Sequence, residues 1–407
     1  MGSLWHGFAD MGAVERDGAF VIARGEGAYI WDAAGNRYLD ATAGLWFTNV
    51  GHGRREIADA VGSQLAELAH YSNFGDFAST VTVELAERLA AIAPVPGSKV
   101  FFTSGGSDSV DTAAKLARRY WHELGRPNKR IIVGRQKAYH GMHVAGTAIS
   151  GLPPNREGYG ELMADARTVA WDDAKSLLTL IEEVGADTIA AFFCEPVIGA
   201  GGVYSPPEGY LGEVRQICRD HEILFVVDEV VTGFGRIGGS WFAATRLGLE
   251  PDLMTTAKGL TSGYVPMGAV FIAPAIAAPF YAGGTWWRHG YTYGGHAGAA
   301  AAAMANLDII EREGLLTEAK RLESTLHAEL APLADLPAVT EVRSGLGAVA
   351  AVQLADAADA APAVRRLREH GVSGRAVGNG ALQFSPAFVM TDEQVAELAA
   401  ATRAALT

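Results

Sequence analysis

The sequence reads as an α/β protein, with a large, doubly wound, mostly parallel sheet joined to a smaller α+β part. From about residue 99, short apolar runs alternate with longer segments of helical periodicity, the mark of strand–helix–strand units. The runs are apolar throughout rather than at every second residue, as expected of strands covered on both faces. After residue 312 the texture changes to strand-like pieces set between shorter helical patterns, which marks the smaller part.

Taken in order, residues 28–32 and 37–40 flank Ala33-Ala34-Gly35-Asn36 and predict a hairpin. Ile57, Val61, Leu65 and Leu68 share one helical face, as do Leu85, Leu89 and Ile92. Strands are expected at 100–102, 130–133, 190–193, 223–227, 253–256 and 269–272, with helices at 108–123, 174–184 and 206–221 between them. An Ala-rich helix follows at 297–312, then strand-like pieces at 339–353 and 381–384 and helices at 360–370 and 392–405. Thr391 with Gln394 forms a capping box that opens the last helix. The expected division is 1–49 and 313–407 for the small domain and 50–312 for the large one. No repeat or low-complexity linker separates them.

Composition narrows the function classes. A net charge of −13 leaves no cation excess for nucleic acid. Cys194 and Cys218 are the only cysteines and lack CxxC spacing, so neither a disulfide framework nor a zinc site is expected, and a reducing cytoplasm fits. The start Met1-Gly2-Ser3-Leu4-Trp5-His6 has no signal-peptide character, and His6 stands where a myristoylation motif wants Ser or Thr. No window approaches the roughly 20 apolar residues of a membrane span, and a soluble protein with no membrane partner is expected.

Three segments could carry chemistry. Ser104-Gly105-Gly106-Ser107-Asp108 links a strand to a helix. Such a turn presents free N–H groups and the positive end of the helix dipole to an anion, although a plain capped loop has the same look. Asp228 ends the apolar run 223–227, where open α/β sheets make their ligand contacts. Lys258 closes a later strand, where partial desolvation would lower its pKa and favour Schiff-base chemistry. Each alone has a bland reading. Together they supply a phosphate anchor, a partner for a protonated pyridine nitrogen and an aldehyde-binding amine, the parts that pyridoxal 5′-phosphate needs.

The run Leu224-Phe225-Val226-Val227-Asp228-Glu229-Val230-Val231-Thr232-Gly233-Phe234-Gly235-Arg236, followed by Ala257-Lys258-Gly259, resembles the signature of class III pyridoxal-phosphate aminotransferases. Ala43-Gly44-Leu45-Trp46, Tyr139-His140-Gly141, Glu195-Pro196 and His289-Gly290-Tyr291-Thr292-Tyr293 follow the family's order, and Trp46 with Arg375 is most similar to ω-transaminases of the amine:pyruvate type. The resemblance implies a fold-type I transferase that moves an amino group from a primary amine or ω-amino acid to a keto acid, with pyruvate as acceptor, by a ping-pong Schiff-base mechanism. It implies Lys258 as the Schiff-base lysine and proton shuttle, and Asp228 on the pyridine nitrogen. Tyr139 and Val230 would flank the ring, and Gly106 and Ser107 would bind the phosphate. Thr292 would reach that phosphate from the second subunit of a homodimer with shared active sites, and Phe74 would enter the partner's pocket. Trp46, Tyr139 and Arg375 would contact substrate, Arg375 because its fork binds a carboxylate bidentately. Glu195 is expected to support rather than catalyse, and His140 and His143, without a third ligand, give no metal site.

The chain departs from the pattern at Gly105-Gly106-Ser107-Asp108, where the family usually has Ser-Gly-Ser-Glu, and at Ala297, where it commonly has Pro. The alternatives are an aminomutase or a decarboxylating transaminase with the same cofactor. More remote is an NAD-dependent dehydrogenase, suggested by Gly233-Phe234-Gly235-Arg236-Ile237-Gly238.

Overall fold

The computed structural model describes residues 3–407, so Met1 and Gly2, and the reading of them as no lipidation start, lie outside the described residues. A seven-stranded sheet forms the centre. Across it run Lys99–Thr103, Gly268–Ile272, Leu253–Thr256, Leu224–Asp228, Ile189–Cys194, Ile131–Arg135 and Ala166–Val169. Gly268–Ile272 is antiparallel to both neighbours and every other pairing is parallel. Side chains alternate between the faces: Phe225 and Val227 join helices Lys175–Val184 and Tyr210–Asp220, while Leu224 and Val226 join helix Gly106–Glu123. Burial on both sides explains why the strands carry apolar residues at every position.

Helix Gly106–Glu123 lies close to the sheet because Ala113, Ala114 and Ala117 are buried on its inner face, and Trp121 Nε1 donates to Ala190 O. Helix Ala297–Arg312 is similarly alanine-lined and packs on helices Arg55–Glu67 and Thr80–Ile92. Ala297 stands at the first helical position after His296. The family's proline would suit that place through its fixed φ, and alanine, the best helix former, fills it without loss.

Two four-stranded sheets complete the fold. Ile22–Glu26, Tyr29–Asp32 and Arg37–Asp40 form an antiparallel ribbon, which Val372–Ser373 extends by pairing in parallel with Arg37–Asp40. Val339–Arg343, Ala350–Leu354, Ala381–Phe384 and Arg375–Val377 form the other sheet, antiparallel throughout. The capping box at Thr391 and Gln394 is present.

Some expectations shift. The helix expected from 206 begins at Tyr210, after Pro206 and Pro207. The strand-like stretch 339–353 is two strands. Leu65 is exposed, and Leu68 leaves the helix in an extended conformation, so the face drawn through Ile57 is buried only in part. Helix Leu315–Leu330 and edge strand Ala166–Val169 were not expected. The Gly233–Gly238 segment opens no helix: Gly235 and Gly238 have φ of 92° and 77°, and the next helix is only Ala243–Arg246. A dinucleotide fingerprint needs a long helix there, which removes the dehydrogenase reading. Among the described residues, no helix is long and apolar enough to cross a membrane.

Candidate active site

The carboxyl ends of the central parallel strands border one cavity of about 120 Å³, lined by residues that include Gly106, Ser107, Tyr139, Asp228, Val230 and Lys258. Asp228 ends its strand in register with Thr255. Its Oδ1 accepts from Val230 N at 3.1 Å and from Thr255 Oγ1 at 3.0 Å, and its Oδ2 lies 2.8 Å from His140 Nδ1. Both partners in the His140–Asp228 pair are buried. His140 Nε2 is enclosed without a hydrogen-bond partner, which assigns the ring's proton to Nδ1, where it donates to the carboxylate. A buried carboxylate is costly unless it is hydrogen-bonded, and three donors meet that need.

Lys258 follows strand Leu253–Thr256 by two residues and opens a short 3₁₀ turn. Its φ of 40° is in the left-handed region, which a non-glycine residue occupies only when its surroundings force it. Its side chain makes no hydrogen bond among the described residues and borders the cavity. Desolvation pushes its pKa below 10.5; Asp228 and Glu195 act in the opposite direction, and Arg375 adds to the lowering. The neutral, nucleophilic amine is thereby favoured.

The opposite wall is the first turn of helix Gly106–Glu123, whose early N–H groups have no partner within the helix. It is tightly drawn. A Cβ at Gly106 would come within 2.8 Å of Val230 Cγ1, and one at Gly141, with φ of 87°, within 2.5 Å of Ser107 Oγ. Ser107 Oγ accepts from Met142 N. Asp108 turns away, taking Ser104 N on one oxygen and His143 Nε2 on the other. The two histidines three residues apart therefore face different carboxylates. Gly105 has nothing within 4 Å of a built Cβ, so the hydroxyl absent here relative to the family pattern had room.

Tyr139 is half-buried at the cavity edge. Its N–H donates to Glu195 Oε1 and Gly199 N–H donates to Oε2, so Glu195 fixes this loop while burial raises its pKa. Desolvation likewise raises the Tyr139 phenol, with Arg375 lowering it. Arg375 begins the strand Arg375–Val377; its guanidinium has no hydrogen-bond or ion-pair partner among the described residues, and burial depresses its pKa.

Three expected site residues do not line the cavity: Arg375, Trp46 and Thr292. Trp46 is 3% exposed in an apolar cluster with Val203 and Val377, and its φ is 68°. Thr292 is exposed, on a groove with His70, Tyr71, Phe74 and Phe77. Conversely, sequence reasoning gave His140 no role beyond its place in the family motif and a rejected metal site, and placed Thr255 only in a strand, with no part in the site. A signal for Thr255 exists, since two adjacent parallel strands that end level put 228 beside 255.

Comparison with known proteins was made on this geometry. The family model described as Aminotransferase class-III matches residues 11–406. A putrescine–pyruvate aminotransferase of Pseudomonas aeruginosa is 39% identical, over 98% of this chain and 93% of that one. A β-alanine–pyruvate aminotransferase of the same organism is 36% identical, over 97% and 93%. Among solved structures, a transaminase from the marine bacterium Virgibacillus superposes with a TM-score of 0.96 at 37% identity, covering 99% of this chain and 96% of that one. A PLP-bound amine transaminase from an uncultivated Pseudomonas species gives 0.95 at 36% identity, covering 100% and 98%.

Proposed function

The chain belongs to the class-III aminotransferases, which use pyridoxal phosphate, and we propose that it takes the amino group from a primary amine or ω-amino acid and delivers it to pyruvate. The observation that carries this reading is the half-buried guanidinium of Arg375, which has no partner among the described residues and whose charge lowers the pKa values of both Tyr139 and Lys258. A cation without a carboxylate beside an amine-handling cavity suits a substrate carboxylate. The pyruvate named in the two relatives supports the acceptor.

The residues fit the cofactor. The cradle that a Cβ would fill at Gly106 and Gly141 leaves backbone N–H groups for phosphate, and Tyr139 and Val230 stand on the cavity wall for the ring. Bound pyridoxal phosphate supplies an aldehyde that condenses with amines and a ring that accepts electrons. Asp228 holds negative charge for the ring nitrogen. Lys258 Nζ is the amine for the aldehyde, and its depressed pKa suits taking up and returning a proton.

The reading is tested by the absorbance of the holoenzyme. Loss of its yellow band on adding a primary amine without a carboxylate, and return with pyruvate, are the expected results. A band that ignores both reagents, or that responds only to a different keto acid, overturns the substrate assignment. Arg375→Ala is expected to raise the KM for pyruvate about 10- to 100-fold, the worth of a charge-assisted hydrogen bond of roughly 1.5 to 3 kcal/mol, with little change in half-reaction rate for the carboxylate-free amine. Steady-state and single-turnover kinetics check both.

The homodimer belongs to the same proposal. Thr292 faces outward beside the exposed Tyr71, Phe74 and Phe77, an apolar surface that a second copy would cover. The turn carrying Thr292 is held from below: Asn73 Nδ2 donates to Gly294 O at 2.7 Å, Thr82 Oγ1 to Gly295 O at 2.8 Å, and His70 Nε2 lies 2.9 Å from Thr292 O. Asn73→Ala is expected to weaken cofactor binding several-fold with the dimer intact, measured by titration with pyridoxal phosphate and by sedimentation. An unchanged affinity would count against Thr292 as a phosphate ligand.

A further inference from the structure

Arg375 sits on a hairpin whose other strand is Ala381–Phe384, and Gly374 and Gly378 interrupt its flanks while Gly380 takes a φ of 83° in the turn. Glycines make such a segment cheap to move. Two contacts join its tip to the large sheet's side of the molecule: buried Val377 packs in one cluster with Val203, and at an exposed position Asn379 Nδ2 donates to Tyr204 Oη at 2.6 Å. Asn379 O in turn accepts from Gln353 Nε2 at 2.8 Å, a bond within the small sheet.

Tyr204 is itself strongly fixed. Lys137 Nζ lies 4.0 Å and Arg343 Cζ 4.3 Å from its ring centroid, both attracted by the ring's π face. Lys137 is two residues from Tyr139 at the cavity edge. Arg343 also donates through Nε to Gly202 O at 2.7 Å. Val203, immediately before Tyr204, has a φ of 57°, which for a β-branched residue persists only where neighbours over-determine it. It shares the buried cluster of Val377, two residues beyond Arg375. The loop of Tyr139, the turn ending at Tyr204 and the hairpin of Arg375 thus meet at one phenol ring.

We propose that Tyr204 and Asn379 form a latch that positions Arg375 and so sets the preference for carboxylate-bearing over carboxylate-free substrates. Tyr204 is a positioning residue, acting through the hairpin rather than on the substrate. The proposal rests on Arg375 being the carboxylate site. With the latch made, the guanidinium is held toward Tyr139 and Lys258; with it broken, the glycine-flanked hairpin samples positions in which the fork no longer meets a carboxylate, while a substrate without one loses nothing.

The test is the KM and kcat of the holoenzyme with pyruvate and β-alanine, set against the half-reaction rate with a carboxylate-free amine, in Tyr204→Phe, Asn379→Ala and the double variant. Each single change removes one hydrogen bond and is expected to raise the KM for both carboxylates about 3- to 10-fold, with kcat and the amine rate changed less than about 2-fold. The double variant should be no worse than either single one, because the second change finds the bond already gone. Equal losses for the two substrate classes, multiplicative effects in the double variant, or no effect at all overturn the latch. Arg375→Ala measured alongside separates the two ideas: if it raises the pyruvate KM while the latch variants do not, only the latch fails; if it has no effect, the carboxylate-site reading fails first.

Discussion

Lys258→Ala is expected to lower transamination at least about 10⁴-fold, or about 5.4 kcal/mol of barrier, while leaving pyridoxal phosphate bound by the cradle at Gly106 and Ser107. The size follows from what the side chain does alone. A positioned general base contributes roughly 10² to 10⁴, and the covalent hold on the aldehyde is lost as well. Stopped-flow absorbance with a donor amine measures the rate and equilibrium dialysis the binding; full activity without added amine would falsify the assignment. Small primary amines should restore part of the rate.

Wild-type pH dependence is a companion to this test. The folded apo protein disfavours the charged amine, so between the depressed value and 10.5 the unfolded chain binds more protons at this site. Apo stability therefore gains from this group as pH rises from the lysine's depressed value toward 10.5. The alanine variant should lack that rise, read as the difference in denaturation midpoints across the window.

Much of this was legible in the sequence because burial on both faces leaves so plain a trace. The run Leu224 to Val227 is fully buried in the centre of the sheet, and strand Leu253–Thr256 falls where the sequence put it. Edge strand Ala166–Val169 escaped notice because it pairs on one side only and carries exposed Arg167. Helix Leu315–Leu330 is absent from the sequence reading although Leu315, Leu322, Leu326 and Leu330 are buried at helical spacing, so its signal was present. The positive φ at Trp46, Val203 and Lys258 has no local sequence cause. Each is imposed by tertiary contacts against the residue's own preference, and the latch at Tyr204 depends on three segments distant in the chain. The motif residues Gly106, Tyr139, Asp228 and Lys258 were legible as chemistry, yet the donors around Asp228 come from residues 140, 230 and 255 and emerge only when the strands are laid side by side.

Those donors make Asp228→Asn the second large expected effect, a fall of about 10² to 10³ in the half-reaction rate, or about 3 to 4 kcal/mol. The charge is lost where a protonated ring nitrogen needs it, and the amide also cannot reproduce the carboxylate's bonds. An Asn presents one oxygen and one NH₂ group. If its oxygen keeps Val230 N and Thr255 Oγ1, its NH₂ faces His140 Nδ1, and the ring must then move its proton to Nε2, which is buried with no acceptor. If the amide is reversed, His140 is satisfied, but Val230 N–H meets another donor and is left unpaired in a buried site. Either way one buried group goes unsatisfied, so the variant should bind the cofactor in altered register as well as turn over slowly. The visible absorbance maximum of the holoenzyme reads the first effect and single-turnover kinetics the second. Asp228→Glu restores the charge but adds a methylene to a filled site, and is expected to recover the absorbance more than the rate. An Asp228→Asn enzyme with an unchanged half-reaction would mean that the ring nitrogen takes its negative partner from elsewhere, and Glu195, the other buried carboxylate on the cavity, would be the group to replace next.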